Sequence, residues 1–109
     1  MQELTTSEAF DDLVARSHEQ PFIVFKHSNR CPISADAKER VEDAVSEGVI
    51  DLPVFCVVVH DVRELSDHIA SSLNVPHQSP QVIVVTDGNA VYDADHGDIT
   101  GAGIQEALS

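Results

Sequence analysis

At 109 residues, 42% of them hydrophobic, the chain is long enough for one core and too short for two, so residues 1–109 read as a single domain. Nineteen acidic residues against six basic ones give a net charge of −13, which argues against nucleic acid and anionic membrane as partners. No apolar run approaches the roughly 20 residues that span a bilayer. Met1-Gln2-Glu3-Leu4 lacks the profile of a secretory signal, so the expected compartment is the cytoplasm and the two cysteines are expected to be reduced.

No internal repeat or linker divides the chain. Thr5 with Glu8 has capping-box spacing, and Phe10, Leu13 and Val14 supply an apolar stripe, so the first predicted element is a helix that ends before Pro21. Phe22 to Phe25 is a continuous apolar run, the pattern of a strand buried on both faces. After Cys31-Pro32, the residues Ile33, Ala37, Val41, Ala44 and Val45 recur at helical spacing up to Gly48, a C-terminal stop. Val54 to Val59, around Cys56, reads as a second buried strand parallel to the first, because a helix connects them.

Asp61 and Glu64 repeat the capping-box spacing before a helix carrying Leu65, Ile69 and Leu73. Gln81 to Thr86 is a β-branched strand, Asp87-Gly88-Asn89 is a turn, and Ala90 to Tyr92 begins an antiparallel partner. A final helix over Gly101 to Leu108 is capped by Thr100. This order predicts an α/β fold: a thioredoxin-like mixed central sheet flanked by helices, with an extra helix at the N-terminus.

Cys31 falls where the first strand ends and the long helix begins. The unpaired N–H groups and dipole of a helix N-terminus favour a thiolate, and Pro32 suits the first helical position because it has no N–H to waste. Four of the six basic residues, Lys26, Arg30, Lys38 and Arg40, lie within one fifteen-residue window around this cysteine. Lys26, Arg30 and Lys38 are expected to add Coulombic stabilisation to its thiolate. Ser34 completes a C-x-x-S spacing. Its hydroxyl falls on the sulfur's side of the helix, where it can donate a hydrogen bond but cannot form a disulfide. The expected chemistry is monothiol exchange, in which a mixed disulfide on Cys31 waits for an external thiol. Ser79-Pro80 precedes a strand, and a cis bond there would expose the Ser79 backbone to an extended substrate.

Cys56, inside an apolar run, is expected to be buried and inert. His27 is near enough in sequence to influence Cys31. His18, His60, His68, His77 and His96 show no zinc-ligand spacing with cysteine, so solvated or capping roles are expected and no metal site.

The string Phe25-Lys26-His27-Ser28-Asn29-Arg30-Cys31-Pro32-Ile33-Ser34, the Ser79-Pro80-Gln81 approach to a strand and the His96-Gly97-Asp98-Ile99-Thr100 approach to the last helix resemble the monothiol bacilliredoxins of the YtxJ type. The resemblance implies a thioredoxin-like protein that removes bacillithiol from S-bacillithiolated client proteins. Cys31 is then the exchanging cysteine, Ser34 stands in the resolving cysteine's place, and bacillithiol is a co-substrate rather than a bound cofactor. The carboxylates of bacillithiol suit the basic cluster. The strong acidity, Gly101 and Gly103 depart from the family pattern. Two competing classes are an iron–sulfur scaffold built on one thiolate per chain and a non-catalytic thioredoxin-fold binding module. The Pro32-Ile33 pair replaces the glycine-aromatic pair of monothiol glutaredoxins, and rapid alkylation of Cys31 at mildly acidic pH would exclude an idle thiol.

Overall fold

A computed structural model describes all 109 residues. Strand β2 (Phe22–His27) is buried along its whole length, as its unbroken apolar start predicts. It pairs in parallel with β3 (Val54–Val58) on one side and antiparallel with β4 (Gln81–Thr86) on the other. The five-stranded sheet runs β1-β3-β2-β4-β5, with β5 (Asn89–Asp95) on one edge. Strand β1 is only Gln2–Glu3, on the other edge, parallel to β3. Two exposed polar residues carry no periodicity, so this strand was not expected. With it in place, helix α1 (Ser7–Ala15) connects two strands of the sheet rather than standing apart from them.

Alternation along β2 sends its side chains to two cores. Ile23 and Phe25 pack with Cys56, Val82 and Val84 against Ala37, Val41 and Ala44 of α2 (Pro32–Ser46) and Ile104 of α4 (Gly101–Leu108). Phe22 and Val24 pack with Val57, Ile83 and Val85 against Phe10 of α1 and Leu65, Ile69 and Leu73 of α3 (Arg63–Leu73). By the same alternation Lys26 faces the α1/α3 side and His27 the α2/α4 side.

Helix ends fall close to their expected places, with two corrections. Thr6, not Thr5, caps α1, its hydroxyl accepting from Ala9 N–H at 3.1 Å. The N-cap of α3 is Val62, without a side-chain cap, because Asp61 belongs to the turn in which its N–H bonds Val58 O. Thr100 caps α4 as expected, accepting from Gly103 N–H at 3.0 Å. The hairpin turn has Asp87 and Gly88 at φ of 55° and 78° between the paired residues Thr86 and Asn89, the two-residue geometry that matches strand twist. Two glycines of α4 answer to packing. A Cβ on Gly101 would lie 2.8 Å from Ala44 Cβ, and one on Gly103 would lie 2.9 Å from the Tyr92 hydroxyl.

Candidate active site at the carboxyl ends of β2 and β3

Cys31 is the N-cap residue of α2, with extended backbone (φ −121°, ψ 120°), and Pro32 occupies the first turn. It is partly exposed, it carries a free thiol, and no hydrogen bond ties its sulfur. The cysteine forms one wall of an open cleft of about 380 Å³. Ser28 from the end of β2, Val59 and His60 from the end of β3, Arg63, Ser66 and Asp67 from α3, and His77 and Ser79 from the loop before β4 complete the lining. The site thus collects at the carboxyl ends of adjacent parallel strands, where open α/β sheets gather their ligands.

The Ser79–Pro80 peptide is cis. Pro80 is buried, while Ser79 lines the cleft, and its buried hydroxyl has no hydrogen-bond partner.

Ser34 is not oriented as its spacing suggests. Fully buried, its hydroxyl accepts from Ser28 N–H at 2.9 Å and pairs with His27 Nδ1 at 2.8 Å. These bonds hold the serine in the joint between β2 and α2 and not on the Cys31 sulfur. Backbone donors left over at a strand end need acceptors, and here Ser34 supplies one. Burial, reinforced by the Lys38 ammonium and opposed by Glu42, pushes the His27 pKa below the usual histidine range, and its ring stacks on Phe25 at 5.8 Å.

The basic window of the sequence comes apart in space. Arg30 remains exposed beside Cys31. Lys38 faces a small cleft shared with His27, Glu42 and Cys56, on the other face of the sheet from His77. Arg40 is spent on backbone, donating to Ile99 O at 2.8 Å and His96 O at 3.1 Å. Lys26 is fully buried, donating to Ser66 O at 3.1 Å and to His77 Nδ1 at 3.1 Å, and burial lowers its pKa to about 8 against a smaller opposing pull from Asp67. Linear proximity was a poor guide because alternate residues of a strand take opposite faces, and successive helix residues turn by about 100°.

Two histidines expected to be solvated are exposed and also line the cleft. His60 Nε2 pairs with Ser28 Oγ at 2.9 Å. His77 Nδ1 takes both Lys26 and the Ser66 hydroxyl, the latter at 3.1 Å; burial, then Lys26 and Arg63, lower its pKa, with Asp67 opposing. The available signal was positional: His60 follows β3 as Cys31 follows β2, and parallel neighbours end together. His96 sits at φ 51° and bonds Asp95, while its carbonyl accepts from Arg40, so it serves the turn before α4. Cys56 is buried in mid-strand, and burial pushes its thiol up. No helix is long and apolar enough to cross a membrane.

Residues 2–104 match the family model described as monothiol bacilliredoxin BrxC. A solved structure described as having a thioredoxin fold is 32% identical, with a TM-score of 0.88 over 99% of this chain and 93% of that one. Thioredoxin from Fasciola hepatica is similar at 18% identity and a TM-score of 0.74, covering 99% of this chain and 96% of that one. Thioredoxin from Trypanosoma brucei brucei is similar at 14% identity and a TM-score of 0.74, over 97% of this chain and 85% of that one; these last two likenesses concern the fold.

Proposed function

The chain belongs to the monothiol bacilliredoxin family BrxC, a family of thioredoxin-fold thiol–disulfide exchange proteins, and from that premise we propose that it removes bacillithiol from S-bacillithiolated proteins through Cys31. The observation that carries the reading is the contrast in access: Cys31 is a partly exposed free thiol on an open cleft, while the other sulfur, Cys56, is buried. A resolving partner within the chain is therefore lacking, since position 34 holds a serine whose hydroxyl is engaged elsewhere.

In the first step the Cys31 thiolate attacks the bacillithiol sulfur of the client mixed disulfide. A new S–S bond forms between Cys31 and bacillithiol, and the client leaves as thiolate and takes up a proton. In the second, an external thiolate attacks the bacillithiol sulfur on Cys31, releasing a small disulfide and restoring the Cys31 thiolate. Electrons balance at each step, because every S–S bond broken is replaced by one formed. Two features support the nucleophile's position. The first-turn amides of α2 and its dipole favour negative charge at the N-cap, and no side chain competes for those amides. The half-open cleft, with Ser79 on its wall, leaves room for the small thiol beside the sulfur.

The deciding experiment is intact-mass analysis after mixing the reduced protein, separately, with oxidised bacillithiol and oxidised glutathione. The expected result is a single bacillithiol adduct, mapped to Cys31 and transferable from a bacillithiolated client, with the glutathione adduct much slower. No adduct on Cys31 with either disulfide overturns exchange, and equal rates with the two overturn the choice of bacillithiol.

A further inference from the structure

The molecule holds nineteen acidic side chains, yet none forms a salt bridge with a lysine or arginine; the close ion pairs all involve histidine. Two of the unpaired cations meet at the Cys31 cleft. Arg63 lines it, exposed, with no hydrogen bond from its guanidinium. Lys26 lies directly behind the wall, its ammonium fully buried against Ser66 and His77, both of which face the cleft. A charge removed from water normally has a counter-ion beside it, and Lys26 has only a carbonyl and an imidazole nitrogen. Asp67 also lines the cleft, and its pull on Lys26, smaller than the effect of burial, stops short of a salt bridge.

The hydrogen bonds also assign the His77 tautomer. A lysine ammonium can only donate, so Nδ1 of His77 accepts, and the ring proton is on Nε2. Lys26 therefore leaves Nε2 as the N–H donor of a ring that lines the cleft, as well as charging the wall behind it.

We propose that this wall, with Lys26 as its buried charge, Arg63 at its rim and His77 as its fixed donor, is an anion subsite that receives a carboxylate of the small thiol bonded to Cys31. The proposal rests on the exchange reading for its substrate, but the subsite itself is a property of the cleft. It makes Cys31 select for acidic small thiols on a protein whose net charge of −13 would otherwise repel them. Lys26 acts as a positioning residue through His77, and Arg63 as a specificity residue at the surface.

The test compares reagents of equal reactivity class and different charge. Alkylation of Cys31 is followed by mass with iodoacetate and with iodoacetamide, and exchange is followed with 3,3′-dithiodipropionate and with 2-hydroxyethyl disulfide. Lys26→Met and Arg63→Gln are each expected to lower the anionic-to-neutral rate ratio roughly three- to tenfold, as the loss of one nearby charge in a partly dry site should. Arg16→Gln, on α1's C-terminal end and outside the cleft, leaves both ratios unchanged. The same ratios in wild type, Lys26→Met and Arg63→Gln overturn the subsite. If Lys26→Met fails to fold, Arg63→Gln decides alone. Should the wild type alkylate but exchange with neither disulfide, the exchange reading falls, while the alkylation ratio still decides the subsite.

Discussion

Cys31 and Cys56 are separated by one helix and one strand boundary, and that boundary determines what each sulfur can do. Cys56 stands in the middle of β3, opposite Phe25 on the neighbouring strand, walled in by the aliphatic core beneath α2 and α4. Cys31 stands beyond the end of β2, where the ladder has stopped and a helix begins. A strand interior offers a sulfur few donors and little solvent, and burial pushes the Cys56 thiol up against the opposing Lys38 ammonium across their small cleft. A strand-to-helix junction offers both donors and solvent. The largest expected effect follows from exchanging each for serine. Cys31→Ser abolishes adduct formation, measured by intact mass, because a hydroxyl is not a nucleophile toward disulfides at neutral pH. Cys56→Ser leaves the exchange rate within about twofold but costs about 1–3 kcal/mol in chemical denaturation, by placing a hydroxyl in an apolar core. A rate lost in Cys56→Ser, or retained in Cys31→Ser, would erase the contrast.

The second effect concerns a cation rather than a sulfur in the middle of the sheet. Lys26 is buried more completely than Cys56, and its pKa of about 8 in the fold lies below the unfolded 10.5. Below pH 8 both states carry the proton and the folded state bears the cost of a buried charge. Between 8 and 10.5 the unfolded chain binds more protons than the folded one, so stability rises with pH across that window. Lys26→Met is therefore expected to be more stable than wild type at pH 7 by up to about 3 kcal/mol, less what its two hydrogen bonds contribute. The advantage shrinks as pH rises through the window. Urea melts at pH 7 and pH 10 check it, and a lysine kept at the expense of stability is what a cation with work in the cleft would be.

Ser34 ties the two surroundings together, and removing it has a smaller effect. Ser34→Ala leaves Ser28 N–H and His27 Nδ1 without their partner in a buried site, at an expected cost of about 1–3 kcal/mol. The exchange rate should change less than stability, because the hydroxyl does not touch the Cys31 sulfur. A large rate loss with an unchanged melt would reassign the hydroxyl to the thiolate.

The parts of this arrangement that could be read from residues alone are those fixed by short-range pattern. The apolar runs of β2 and β3, the helical period of α2, the Pro32 start and the Asp87-Gly88 turn each follow from neighbours within a few positions. So does the location of Cys31, which needs only a strand, a helix and the boundary between them. What stayed hidden depends on the third dimension. Lys26 and Lys38 are twelve residues apart and end up on opposite faces of the sheet, whereas Lys26 and His77, fifty-one apart, share a hydrogen bond. The two-residue β1 exists only because β3 offers an edge to pair with. Gly101 and Gly103 looked like departures in a helix, and each is explained by a distant neighbour, Ala44 and Tyr92 respectively.

The smallest expected effect is on acid stability, and it separates the two sides of the sheet once more. His27, on the Cys56 side, and His77, on the Cys31 side, are both pushed below the usual histidine pKa of 6.5, in each case chiefly by burial. The unfolded chain thus takes up protons at these positions before the folded one does, and stability falls as pH drops below 6.5. His77→Asn should flatten this slope, measured as the urea midpoint between about pH 7.5 and 5.5. In Lys26→Met the slope should also flatten, because the ammonium that opposes protonation of His77 is gone. A slope that survives both substitutions would place the acid sensitivity with His27, in the joint that Ser34 holds.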